Sequence, residues 1–234
     1  GVAPPRAPDV EAIARRVASV VTVSTPHHGT PLAAFATGLL GQRLLRIASL
    51  ATIYVLRFGH LPLSVLLRLG GFLARIDRRV GLNSALLDEL FGQLLEDFSR
   101  ERRLEVEAFL DQVGNDAALI LQLTPDGMEV FNAATRDRPS VRYGSVVTQA
   151  QAPGVASTLA AGLDPSAQAT HALYAALYRL AGISRRGRLP TLEHAQAQAL
   201  RRAYGHAPGG RANDGIVPTL SQPWGDLVHA ARAD

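Results

Sequence analysis

The sequence contains no cysteine and no lysine, and each absence excludes part of what a protein of this length could do. Without cysteine, the 234 residues form neither disulfides nor thiolate sites, so they give no sign of an oxidising or a reducing compartment. All 24 basic residues are arginine, and the formal net charge is only +4. No targeting segment is recognised before the first apolar stretch, so the cellular location is left open.

A long basic run is also missing, although arginine is common. The arginines occur singly or in pairs, such as Arg15-Arg16 and Arg201-Arg202, and lie beside acidic or apolar residues. Nucleic-acid binding calls for a basic patch or an aromatic RNA-binding motif, and the sequence has neither. We therefore predict that nucleic acid is not a partner.

Long uncharged apolar runs are absent too. The most apolar region, residues 38–76, is interrupted by arginines at positions 43, 46, 57, 68 and 75. These interruptions leave no uncharged stretch near the roughly 20 residues that span a bilayer. The sequence therefore predicts no transmembrane segment.

What is present is enough apolar sequence for one large domain, since 47% of the residues are hydrophobic and 19% are charged. Residues 17–24 (VASVVTVS) and 141–148 (VRYGSVVT) are rich in β-branched side chains and are predicted to be buried strands. A weaker third strand is predicted at 226–230. Helical spacing separates them, which indicates an α/β class with a parallel sheet covered by helices.

Helical spacing is strongest between the first two strands. The predicted helices there span 34–57, 63–79, 84–98 and 100–113, followed by a helix with Thr124 as N-cap and Pro125 at its first position. Two more helices are predicted after the second strand, at 166–180 and 191–204. A simple crossover needs only one helix, so the first block indicates an inserted helical cap.

The cap has two interpretations that the residues leave open. Its leucines are ordinary core of a helical hairpin in the first. In the second, the cap is a lid whose apolar face meets a lipid or an acyl chain, with arginines at the interface.

Two short stretches are candidate functional sites. Residues 24–32 (STPHHGTPL) follow the first strand, where ligands of parallel sheets collect. Pro26 forces extended backbone before it, and Gly29 permits a tight turn. Adjacent histidines at a strand end generally point apart, so no metal site is predicted. His27 is instead expected to form a hydrogen bond with the loop backbone. The second stretch contains Asp214 in an Asn-Asp-Gly turn, where a carboxylate commonly bonds its own backbone.

Taken together, three stretches resemble the bacterial triacylglycerol lipases of the α/β-hydrolase fold: STPHHGTPLA after a strand, LTPDGMEVFNAAT at 123–135, and NDGIVP at 213–218. The resemblance implies a Ser-Asp-His triad in that chain order, with Asp214 as the acid that orients the histidine. It also implies that Pro26, His27 and Gly29 are scaffold that shapes the floor of the active site. No cofactor is implied, and the residues upstream of NDG show no clear match to the calcium site of some family members.

The sequence departs from that pattern at two places. No G-x-S-x-G elbow occurs in the 234 residues, and the family's histidine is expected just after Asp234. The chain alone is therefore predicted to be inactive, and a sheet without a preceding strand would expose an open edge. His229 is predicted to be a structural residue of the last strand, and Trp224 to pack under the turn.

The resemblance divides the chain into a hydrolase core at 1–33 and 136–234, with a helical insertion at about 155–205, and a cap or lid at 34–135. The expected function is cleavage of acyl esters, with lipid contact through the cap. Two alternatives stay open. One is a catalytically incomplete protein that binds lipid or a partner through the cap, and the other is acyl transfer or polyester cleavage on the same fold.

Overall fold

The computed structural model describes residues 10–75, 84–115, 117–160, 162, 164–183 and 190–233. The strands in this part of the chain are β1 (Ser19–Val23), β2 (Arg142–Ala150) and β3 (Asp226–Ala233). The helices before β2 are α1 (Val10–Ala14), α2 (Pro31–Ala36), α3 (Leu39–Phe58), α4 (Leu63–Arg75), α5 (Ser84–Glu96), α6 (Arg100–Asn115), α7 (Ala117–Gln122) and α8 (Pro125–Ala134). The helices after β2 are α9 (Val155–Ala160), α10 (Pro165–Ala181) and α11 (His194–Tyr204).

The helices and parallel strands agree with the predicted α/β class, although several helix bounds differ from the prediction. The helix predicted at 34–57 is interrupted at Thr37 and Gly38, so α2 and α3 are separate. Part of the helix predicted at 63–79 lies outside the described residues, because α4 is described only as far as Arg75. The predicted cap of α8 is confirmed, since the Thr124 hydroxyl accepts a hydrogen bond from the Gly127 amide at 3.0 Å.

The three strands form one parallel sheet in the order β1-β2-β3. Ser19 pairs with Arg142, and Ala150 pairs with Ala233, so β2 is central and all three carboxyl ends lie at one edge. Tyr204 of α11 ties two strands together, because its hydroxyl donates to the carbonyls of Val147 and Ala231. Burial raises the pKa of Tyr204 to about 12, so the hydroxyl keeps its proton.

The prediction that both long strands are buried is wrong for the first one. β1 lies at the edge of the sheet, and Val21 and Val23 are 54% and 62% exposed. The β-branched composition predicted a strand correctly, but composition does not say how many neighbours a strand has. Among the described elements, β2 is the one that β1 packs on extensively, so the apolar side chains of β1 face solvent.

The main hydrophobic core lies among the helices and away from the sheet. Its fully buried members include Leu50 of α3, Val65 of α4, and Leu87 and Leu90 of α5. Ala176 of α10 belongs to the same cluster, so a helix from after β2 shares the core of the helices before it. By contrast, the buried apolar cluster under the sheet consists of Val147, Leu200 and Tyr204.

Of the described helices, α3 alone is long and apolar enough to cross a membrane by length and composition. The arginine interruptions had predicted no such helix. Two of those arginines form ion pairs with neighbouring helices, Arg43 with Asp88 at 2.7 Å and Arg46 with Asp111 at 2.9 Å. A single helix of this kind is weak evidence for a span, because core helices pass the same test.

Candidate functional site

The three stretches that carry the resemblance come together in space. The Thr30 amide donates to the Leu123 carbonyl at 2.9 Å, which joins the first stretch to the second. The Thr30 hydroxyl donates to the Ile216 carbonyl at 2.6 Å, which joins it to the third. Segments separated by about a hundred residues thus meet beside the carboxyl ends of the strands, where α/β proteins place their ligands.

Gly29 lies directly against the backbone of the second stretch. Its φ is +76°, and a Cβ at this position would lie 2.5 Å from the backbone nitrogen of Pro125. The Gly29 carbonyl accepts from the Ser221 hydroxyl at 2.7 Å, and that hydroxyl accepts from the His28 amide at 3.1 Å. The turn is completed by the Gly29 amide, which donates to the Pro26 carbonyl at 2.9 Å. Gly29 and Pro26 therefore shape the loop.

His27 is held in place by three contacts. Its Nε2 lies 2.9 Å from the Thr22 hydroxyl, and its ring stacks on Trp224 with centroids 5.1 Å apart. Its backbone carbonyl accepts from the Asn132 side chain at 2.8 Å. Burial, and then the neighbouring His28, lowers the pKa of His27 below its ordinary value. The ring is thus neutral at physiological pH and belongs to the packing of the loop.

Asp214 has a carboxylate that is bonded on both oxygens. Oδ1 accepts from the amides of Ile216 at 2.9 Å and Val217 at 2.7 Å, which is the local turn that the Asn-Asp-Gly sequence predicts. Oδ2 accepts from the Thr148 hydroxyl at 3.0 Å and from Nε2 of Gln222 at 3.3 Å. The two oxygens therefore have different partners: Oδ1 shapes its own loop, and Oδ2 faces β2.

Asn213 positions this aspartate at the sheet edge. Its carbonyl accepts from the Ala150 amide at 2.9 Å, directly at the end of β2. Its side chain is fully buried, donates to the carbonyls of Tyr178 and Arg211, and accepts from the Gly215 amide at 2.8 Å. A buried amide with all these partners holds the loop rigidly.

Gln222 is a site residue that the sequence analysis did not identify. It is fully buried, and its Oε1 accepts from the Thr148 amide at 2.7 Å. Its Nε2 donates to the Thr148 carbonyl at 3.1 Å and to the Val217 carbonyl at 3.3 Å, besides the bond to Asp214. In the sequence it is one polar residue between turn formers, and no periodicity marks it as buried.

Ser24 is a second residue that the sequence analysis passed over. Its φ of 49° is the one positive value among the described residues other than glycine. The Ser24 hydroxyl lies 2.7 Å from the Thr148 hydroxyl, so Ser24, Thr148 and Asp214 form a continuous chain of hydrogen bonds. No described imidazole bonds the Ser24 hydroxyl, so this serine lacks the base that activates a nucleophile.

Hydroxyl–imidazole pairs occur elsewhere in the described part of the chain. Thr22 lies beside His27, and the Thr158 hydroxyl lies 3.1 Å from Nε2 of His171. No described carboxylate accepts a hydrogen bond from either ring, so neither pair is a complete triad. His229 lies within β3, as predicted, opposite Val146 of β2.

No three His, Asp or Glu side chains of the described residues are grouped closely enough to hold a metal ion.

The described fold belongs to the mixed α/β class and contains three parallel strands. No family model, curated protein or solved structure matches the chain.

Proposed function

We propose that this chain provides the acid and the scaffold of a Ser-Asp-His site that cleaves carboxylic esters. The observation that carries the proposal is the Asp214 carboxylate, held by four hydrogen-bond donors at the carboxyl edge of a parallel sheet. It lies in the region where the three lipase-like stretches meet. An acid fixed in this way can orient a histidine and stabilise the imidazolium that forms during catalysis.

The serine and the histidine of this proposed site lie outside residues 1–234. In the finer fold that we propose, the sheet is part of an α/β-hydrolase sheet, and α3 to α8 form the cap. No described strand pairs with the outer edge of β1, whose Val21 and Val23 are exposed, and in this proposal a strand carrying the serine elbow pairs there. The exposed apolar side chains support this, because parallel sheets are normally covered on both sides.

The histidine of the proposed site has to share Oδ2 with the two donors already present. The Gln222 contact is the longer one, at 3.3 Å against 3.0 Å for Thr148. The Thr148 hydroxyl has a second partner in Ser24, so it can release Oδ2 and stay bonded. The substrate is an acyl ester. The same triad can use water or an alcohol as the acyl acceptor, and a polyester can serve as the acyl donor.

The test is Asp214→Asn in the protein that carries a serine elbow and the histidine, with p-nitrophenyl butyrate and octanoate as substrates. Loss of the acid is expected to lower kcat by about ten-thousandfold with KM nearly unchanged, because the histidine loses its orienting partner. Asp226→Asn is the matched control, since Asp226 is exposed and lies at the opposite edge of the sheet.

Two results would contradict the proposal. One is a kcat for Asp214→Asn within about threefold of the unchanged protein while its unfolding curve is also unchanged. The other is a natural reading frame around these 234 residues that encodes no G-x-S-x-G elbow.

A second candidate function is binding of lipid through the turn that joins α3 and α4. Leu56 in the last turn of α3 is 82% exposed, and Leu63 and Leu67 of α4 are also exposed. The sequence from 12 to 76 contains no Asp or Glu, so this turn and its flanking helices are apolar and basic. Such a surface suits the interface of an anionic membrane.

Sedimentation with anionic lipid vesicles tests this second function. Leu56→Ser is expected to lower vesicle binding several-fold, because a largely exposed leucine contributes its area to the lipid. Leu104→Ser is the matched control, since Leu104 is exposed on α6. Equal loss in both variants, or no binding by the unchanged chain, rejects the α3–α4 turn as the contact.

A further inference from the structure

Two neighbouring cavities lie beside the loop that carries Asp214, and neither includes that residue. The first, of about 430 Å³, is lined by Ala152, Pro153, Tyr178, Arg179, Ile183 and Arg211, with Gly182. The second, of about 470 Å³, lies between α9 and α10. Pro153 and Arg179 are in the walls of both, so the two cavities adjoin at Arg179.

The first cavity carries positive charge. Arg179 and Arg211 are both exposed, and no described carboxylate lies within ion-pair distance of either guanidinium. None of the described residues that line the two cavities is Asp or Glu. Two guanidinium groups that no described carboxylate neutralises attract an anion, and their planar donors match the geometry of a carboxylate.

The second cavity is largely apolar and leads away from these charges. Its wall includes Leu159, which is 75% exposed, together with Ala172 and Ala175. The Thr158 hydroxyl and the His171 imidazole in this wall hydrogen-bond each other, so neither requires a polar group of a ligand as its partner. An apolar groove that ends at two arginines without an ion pair to any described residue fits a molecule with an apolar tail and an anionic head.

From this geometry we propose that the two cavities form one binding site for a fatty-acid anion. The carboxylate lies between Arg179 and Arg211, and the acyl chain lies along α9 and α10 against Leu159. Each cavity has the volume typical of small-molecule sites. The proposal does not depend on ester hydrolysis by Asp214, since the site uses none of the residues that bond its carboxylate.

The test is titration calorimetry of the 234-residue chain with sodium decanoate below its micelle concentration. We expect one saturable site, and an affinity for decanoate at least tenfold above that for decan-1-ol or acetate. The double variant Arg179→Gln/Arg211→Gln is expected to weaken decanoate binding about tenfold or more, with decanol unaffected. Leu159→Ser is expected to weaken decanoate and decanol alike, because it removes apolar wall.

Arg201→Gln and Leu104→Ser are the controls, since Arg201 lies on α11 and Leu104 on α6, outside both cavities. Neither is expected to change decanoate binding, and circular dichroism checks that every variant is folded. Equal affinity for decanoate and decanol overturns the proposal, and so does a double variant that binds like the unchanged chain. Tighter binding to phosphatidylglycerol vesicles through the same two arginines also overturns it, because the ligand would then be a membrane lipid.

Discussion

The helical region and the loop region beside the sheet are held together by different interactions. Among the helices, leucines such as Leu50 and Leu90 are completely buried, while ion pairs such as Arg43–Asp88 lie on the exposed surface. In the loop region, the side chains that are completely buried include polar ones, such as Asn213 and Gln222. Apolar packing tolerates substitution by side chains of similar size and shape, whereas a buried hydrogen-bond network tolerates few substitutions. The difference indicates that the helices provide most of the stability and the loops fix one geometry.

The largest effect is expected from the apolar core. Leu90→Ala is predicted to lower the free energy of unfolding by about 3–5 kcal/mol, because the leucine is fully buried and a cavity replaces it. Denaturant unfolding followed by circular dichroism measures the change. Leu104→Ala, at an exposed position of α6, is expected to change it by less than about 0.5 kcal/mol. A loss below about 1 kcal/mol for Leu90→Ala would show that the helical core is not the main source of stability.

The close approach of the loops is tested by two glycines with nearly the same φ. Gly29→Ala is predicted to cost about 3 kcal/mol, because both the φ of +76° and the backbone of Pro125 oppose a Cβ. Gly205→Ala has a φ of +74° but open space around it, so about 1 kcal/mol is expected. The same unfolding experiment compares them. Equal losses would mean that the contact between Gly29 and Pro125 contributes nothing beyond the backbone strain.

The buried amide of Gln222 tests the polar network. Gln222→Leu is predicted to lower the free energy of unfolding by about 2 kcal/mol, because the backbone groups of Thr148 and the Val217 carbonyl lose their partner. Gln198→Leu on the exposed face of α11 is the control and is expected to be nearly neutral. If both substitutions are neutral, the network positions the loop without stabilising it.

The smallest effect concerns pH. Burial lowers the pKa of both His27 and His28 below the value of 6.5 that an unfolded chain shows. Between the folded and unfolded pKa values the unfolded chain binds more protons. The contribution of these histidines to the free energy of unfolding is therefore fully present above about pH 6.5 and falls as the pH drops. His27→Gln is expected to reduce this pH dependence, measured by unfolding at pH 7.5 and pH 5. An NMR titration midpoint for His27 above 6.5 would reverse the predicted sign.

Local features of the fold were predictable because they depend on neighbours in the sequence. Thr124 followed by Pro125 predicted the start of α8, and the carboxylate of Asp214 bonds its own turn as the Asn-Asp-Gly sequence indicates. Features that depend on distant neighbours were missed. Composition does not say that Val21 is exposed at a sheet edge, and nothing near Gln222 in sequence indicates that its amide is enclosed.

The candidate site was predictable to a similar extent. Pro26, His27, Gly29 and Asp214 were identified from the sequence, and the structure places them in loops that contact one another. Ser24 and Thr148 were not, because a hydroxyl in a β-branched strand has no distinguishing pattern. The triad role of Asp214 stays a prediction, since it depends on a serine and a histidine outside these residues.

The sequence by itself determined the α/β class, the start of α8 and the Asn-Asp-Gly turn, because side-chain periodicity, capping hydroxyls and turn residues act over a few residues. Only the tertiary structure decided that three stretches far apart in the chain meet at one edge of the sheet. It also decided that Oδ2 of Asp214 faces Thr148, and that Arg179 and Arg211 line a common cavity. Contacts of this kind depend on how the strands order and how the helices pack, which no local pattern records.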